Sequence, residues 1–339
     1  KSVRDFDIVT LDRLKRIEIE PDYETWKEYA YKKGVHASVM TYLAARKKDF
    51  YKIENAADGK HFVTARGWDD LSEMIKLYEE NGLAVDEQLI CQYLQDARIS
   101  KDFAIYYDLF NKYRSDYQVE KILDGTVSES IVLRAERACM DERLSLLGLI
   151  FDSVTAQLRT VCERENILDL VTGQLKALKE KLKDVSGAAA LLSEMIEAER
   201  EKLERGKQSS SISPQAQRET RFMLEYLEEF RAAVMQSGTA QKDEFSVVRE
   251  SFAQKVAELK GLAADGSRVL ENVFLFCEKA FADGDEILIF VTELTANYYS
   301  ARFIGRYGCD KYYMHNKQLQ FDQRQQEIIK RMDEIQWTV

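Results

Sequence analysis

Residues 126–165 read TVSESIVLRAERACMDERLSLLGLIFDSVTAQLRTVCERE, nearly forty positions with one glycine, Gly148, and no proline. Thr126 and Glu129 have the spacing of a capping box, in which two side chains reciprocally satisfy first-turn amides. The stretch predicts one helix reaching ~55 Å at 1.5 Å per residue. Outward from it the same scarcity of breakers holds: Pro21 and Pro214 are the only prolines in 339 residues, beside 15 glycines. With 45% apolar residues, this composition excludes a disordered or collagen-like chain and argues against a many-stranded β fold. The expected class is all-α, and the length fits two domains.

Toward the C-terminus, residues 167–205 read as two helices broken near Ser186-Gly187, and Gly206 to Ser213 as a flexible loop. Ser213-Pro214 is a cap followed by proline at the first helical position. It opens helices over about 214–236, 241–262 and 268–282, with Gly261 to Gly266 read as a helix-to-helix turn. Asp283 and Glu286 repeat the capping-box spacing and open a helix through about Tyr307. That helix is apolar almost all round and is expected at the centre of a bundle. A last helix is expected over about 310–335.

Toward the N-terminus, Asp22 caps a helix that Gly34 stops after Lys33. Residues 35–45 continue helically, 46–66 is polar with a turn at Asp58-Gly59, and Trp68, Leu71, Met74, Ile75 and Tyr78 recur at helical spacing. Asp86 and Ser100 are expected to cap two more helices. Arg16 to Glu20 alternates with a period of two, the one strand expected here. A lone strand is not stable, so it either pairs with Asp5–Thr10 or is a remnant of a larger sheet.

The balance of 49 basic against 59 acidic residues gives a net charge of −10, which leaves no visible footprint for nucleic acid. Five widely spaced cysteines without a Cys-x-x-Cys pair read as free thiols of a reducing cytoplasm. His36, His61 and His315 are too scattered for a metal-ligand motif, so no metal site is expected. The longest apolar run, Ile287 to Val291, falls far short of the ~20 residues of a membrane span. There is no phosphate-binding glycine loop ending in Lys-Ser/Thr, no Gly-x-Ser-x-Gly and no His-Glu-x-x-His. Acidic pairs such as Asp69-Asp70 and Glu79-Glu80 read as solvated helix faces. Tyr298, Tyr299, Tyr307, Tyr312 and Tyr313 fit either buried rings or a partner-docking surface.

Two arginines stand apart. Arg13 lies in Leu11-Asp12-Arg13-Leu14, before the alternating segment, and Arg66 in Thr64-Ala65-Arg66-Gly67-Trp68, just before a helix. An arginine at a helix N-terminus meets the positive end of the dipole and gains nothing from the helix. It makes sense where an anion is shared, since amides and guanidinium both bind phosphate. The plain alternative is an ordinary exposed arginine.

The run Thr-Ala-Arg-Gly-Trp-Asp-Asp-Leu-Ser (64–72), Val-Asp-Glu-Gln-Leu-Ile-Cys-Gln-Tyr-Leu (85–94) and Asp-Phe-Ala-Ile-Tyr-Tyr (102–107) resembles the C-terminal lid of a MoxR-type AAA+ ATPase. The opening Leu-Asp-Arg-Leu-Lys-Arg-Ile-Glu-Ile-Glu-Pro-Asp (11–22) resembles the passage from ATPase core into lid. The resemblance covers about residues 1–120. It implies that Arg66 is a sensor-2 arginine reaching the nucleotide phosphates, and that Arg13 is an arginine finger acting on a neighbouring subunit's nucleotide. Leu14 stands where the family has Phe, and Ala65 where it has Pro.

The resemblance further implies three segments: 1–20 as the end of the ATPase core, 21–120 as a helical lid, and 121–339 as a bundle of long helices without assigned role. The family's nucleotide-binding motifs, Walker A, Walker B and sensor 1, would lie upstream of Asp7. ATP and Mg2+ are therefore expected only in a longer protein, and this chain alone is expected to be inactive. Expected partners are that core, further copies in a ring, and a von Willebrand A-domain protein, with ATP-driven remodelling of other proteins as the activity. The alternative reading is a stand-alone helical interaction scaffold with a degenerate lid.

Overall fold

The computed structural model describes residues 13, 20–56, 59–183, 187–209, 211–237, 244–282 and 284–317. It is all-α apart from one hairpin. The chain divides into two compact units, Lys1–Asn111 and Lys112–Val339.

The first unit carries α1 (Tyr23–Lys33), α2 (Ala37–Ala45), a 3-10 turn at Lys47–Asp49, β1 (Lys52–Ala56), β2 (Gly59–Val63), α3 (Ala65–Glu80), α4 (Glu87–Tyr93) and the start of α5 (Ala97–Asp116). Asp22 accepts from the Thr25 amide at 2.7 Å, and Gly34 closes α1 at φ +77°, the left-handed conformation that glycine adopts without strain. Asp86 likewise caps α4, accepting from Leu89. Inside, Trp68 meets Tyr42 and Phe103 with ring centroids 5.6 and 5.2 Å apart, and all three rings are buried. Trp68 also donates its indole N–H to the Asp49 carbonyl at 3.2 Å, as a buried tryptophan requires.

Two expectations for this unit are corrected. The polar stretch 46–66 forms the hairpin, antiparallel with Lys52 opposite Val63 and Ala56 opposite Gly59. Its anchor is distant in sequence: the Phe62 amide donates to the Gln95 carbonyl at 3.0 Å, and Val63 is buried. The cap of α5 is Asp96, accepting from the Ile99 amide at 3.0 Å, whereas Ser100 is buried and donates back to the Leu94 carbonyl. The strand expected over 16–20 lies outside the described residues except for Glu20.

The second unit carries α6 (Val119–Leu123), α7 (Glu129–Arg137), α8 (Met140–Lys181), α9 (Ala188–Gln208), α10 (Pro214–Ser237), α11 (Glu244–Phe281), α12 (Asp285–Ala296), α13 (Tyr298–Tyr307) and a helical stretch over 310–317. Leu191, Leu192, Met195, Leu224, Leu227 and Phe230 share one core with Leu168, Val171 and Leu178 of α8. Gly187 at φ +106° makes the expected break before α9, and Ser213 caps α10, accepting from Ala216 at 3.2 Å.

The single helix expected from Thr126 is broken at Ala138-Cys139. Arg143 explains how the break is tolerated. Its Nε donates to the Ala138 carbonyl at 2.9 Å, its second nitrogen to the Glu136 carbonyl, and its third to buried Glu286 at 2.8 Å. One guanidinium thus satisfies carbonyls that the helix end leaves free and neutralises a buried carboxylate.

The turn expected at Gly261–Gly266 is not a turn: α11 runs through both glycines. A Cβ on Gly266 would stand 3.1 Å from Phe303 and 3.2 Å from Leu158, so this glycine serves close packing. Conversely, the helix expected through Tyr307 stops at Asn297, whose side chain accepts from the Tyr299 and Ser300 amides and starts α13. The loop expected from Gly206 begins later, because Ile212 packs where a Gly206 side chain would sit and α9 continues to Gln208. The tyrosine run divides: Tyr299 and Tyr312 are buried, while Tyr298, Tyr307 and Tyr313 are exposed.

Candidate functional site

Each residue of the segment 64–68 has a separable task. Thr64 caps α3, accepting from the Gly67 amide at 3.2 Å. Gly67 passes the backbone of Tyr93 so closely that a Cβ would stand 2.8 Å from its carbonyl oxygen. Trp68 fills the core beneath. Arg66 alone among the three central positions contributes nothing to packing: its side chain is 89% exposed, with Asp70 at 3.5 Å one turn on. A cation is therefore held on a fixed helix N-terminus, beside first-turn amides, and aimed at solvent.

Arg13, the other predicted site residue, is exposed, and the residues around it lie outside those described.

The same unit has a basic cleft of about 590 Å³ that includes Arg46, Lys47, Lys48, Asp49 and Arg98. Arg98 donates to the buried Asp49 carboxylate at 3.0 Å, a bond that raises the arginine's pKa further. Asp49 also accepts from the Tyr42 hydroxyl at 2.9 Å. Burial, then the bonded Asp49, push the Tyr42 phenol well above its ordinary range. Arg46 reaches Asp102 at 3.4 Å and Lys47 reaches Glu24 at 2.5 Å. Cations here also suit the negative end of α2. The sequence signal for this cleft was the triplet Arg46-Lys47-Lys48, which the polar reading of 46–66 absorbed; Arg98, half a unit away in sequence, had none.

Hydrolytic chemistry has no foothold at the serine–histidine–carboxylate alignment around His36. His36 Nδ1 lies 2.7 Å from Ser38 Oγ and Nε2 3.2 Å from Glu79. Ser38 is wholly buried, and its amide donates to His36 Nδ1, so the imidazole is serving as the cap of α2. Among the described residues, no group of three or more His, Cys, Asp and Glu side chains is placed to hold a metal ion.

Compared with known protein families, with characterised proteins and with solved structures, the chain finds no match.

Proposed function

We propose that the first unit is the lid of a MoxR-like AAA+ ATPase and that the second is its helical accessory region, working in ATP-driven remodelling of other proteins. The observation that carries this reading is Arg66: an exposed guanidinium fixed at a capped helix N-terminus by Thr64, Gly67 and Trp68. A phosphate met there would receive the guanidinium and the first amides of α3 together. Arg66 would hold nucleotide phosphate, and bound ATP supplies the free energy of its phosphoanhydride bond. The phosphate loop and the Mg2+ ligands come, in this reading, from an ATPase core of the same protein, with neighbouring copies contributing Arg13.

The test is ATP hydrolysis and nucleotide affinity of the native full-length protein, with Arg66→Ala compared to the parent. A loss of about 10²-fold in hydrolysis, typical of removing one preorganised charge-stabilising donor, is expected with an unchanged melting temperature. Near-parental hydrolysis would sink the role of Arg66, and a native protein that neither binds nor hydrolyses ATP would overturn the whole reading in favour of an interaction scaffold.

A further inference from the structure

In the second unit, α8 and α10 line a cavity of about 140 Å³, with Glu163 and Arg164 on one side and Gln215, Arg218, Glu219 and Phe222 on the other. Glu163 is neutralised by a cation, and Glu219 is held by two neutral amides. Glu163 accepts from Arg159 Nε at 2.8 Å, and Glu219 accepts from Asn166 at 2.9 Å and Gln215 at 3.0 Å. The cations are not neutralised. Arg164 is half-buried, 5.5 Å from the Phe222 ring centroid and 5.9 Å from that of Tyr226, to whose hydroxyl it donates. Among the described residues, no carboxylate lies within ion-pair distance of Arg164 or of the exposed Arg218.

A guanidinium drawn partly out of water loses hydration that aromatic faces replace only in part. Elsewhere in this unit half-buried Arg143, Arg159 and Arg302 have carboxylates in Glu286, Glu163 and Glu165. Arg231, which donates to Ser193, has none among the described residues, and neither has Arg164, which faces a cavity. We infer that this cavity binds a phosphate-class oxyanion, shared between Arg164 and Arg218. Two guanidinium groups on two helices suit an anion with three or four oxygens, whereas the two oxygens of a carboxylate are filled by one arginine fork. The cavity takes a small anionic group, and the partly exposed Phe222 ring beside it offers a face to an organic substituent.

The experiment is 31P line broadening of inorganic phosphate, and separately of phenyl phosphate, by the whole chain at constant ionic strength. Broadening that acetate competes away only weakly is expected, and it should fall to background in Arg164→Gln and in Arg218→Gln. Stronger retention of the phenyl ester would identify an esterified ligand, and stronger retention of the free ion the ion itself; both support the site. Because Arg164→Gln could perturb the helix pair, the exposed Arg218→Gln decides if that variant fails to fold. Equal broadening by the parent and Arg218→Gln, no broadening at all, or acetate competing as well as phosphate would overturn the inference.

Discussion

Gly67 lies against the backbone of Tyr93, where an added Cβ would stand 2.8 Å from the carbonyl oxygen. Backbone cannot yield as a flexible side-chain tip does, so α3 and the end of α4 must part to admit a methyl group. We expect Gly67→Ala to destabilise the first unit by about 1–3 kcal/mol, in the range of other overpacking substitutions. Helix propensity alone predicts the opposite sign, since alanine exceeds glycine by ~1 kcal/mol inside a helix. Urea unfolding followed by tryptophan fluorescence reads the outcome, because Trp68 is buried in this unit's core. A stabilised variant would mean that the close approach is not real.

Arg143 ties the break between α7 and α8 to the start of α12 through Glu286, which is 5% exposed at its side chain. Removing one partner of such a pair strands the other without compensation. Arg143→Met is expected to cost about 3 kcal/mol, below the upper range for buried pairs because the guanidinium is partly solvated. Adding Glu286→Gln should recover part of that loss by removing the stranded charge. A double-mutant cycle with no recovery would place the cost in the lost carbonyl bonds to Glu136 and Ala138 instead.

Local signals in the sequence carried most of the first unit. Asp22, Gly34, Asp86 and the Trp68–Ile75 periodicity each act within one or two turns, and each does what its spacing implies. What was illegible depends on partners far along the chain. The hairpin needs Gln95, the break at Ala138 needs Arg143 and Glu286, and the unbroken α11 needs Phe303 and Leu158 beside Gly266. Gly266 is instructive: glycine marks a turn or a close approach, and only the packed neighbour tells which. The same limit applies to function. Arg66 stands out in the sequence because its motif is contiguous, whereas Arg164 and Arg218 come to line one cavity only once α8 and α10 fold together.

The five thiols divide sharply by environment. Cys139 is exposed between α7 and α8, while Cys162 and Cys277 are buried. Burial pushes the Cys162 thiol up to about 11 and the Cys277 thiol higher still, so neither presents thiolate near neutrality. With an aromatic disulfide reagent at mildly alkaline pH, Cys139 is expected to react first, and Cys162 and Cys277 only after denaturation. Mass-spectrometric mapping of the labelled sites checks the order. Early labelling of Cys162 would show that α13 opens from α8, where the thiol now meets the Tyr299 carbonyl at 3.7 Å.

Glu278 on α11 predicts how the second unit responds to acid. Burial works to raise its pKa, but bonds from Lys311 at 2.7 Å and His315 at 3.1 Å outweigh it, so the carboxyl lies below its ordinary value of 4.5. His315 is itself steadied by stacking on Phe274, with ring centroids 5.8 Å apart. A carboxyl whose folded pKa is depressed contributes stability above its unfolded pKa and loses it as pH falls through the folded one. The penalty of Glu278→Gln should therefore be full near neutrality, begin to shrink below about pH 4.5, and vanish at more acid pH. Parent and variant melting temperatures measured across this range provide the check, and a penalty that stays constant from neutral to strongly acid pH would show that Glu278 contributes packing rather than charge.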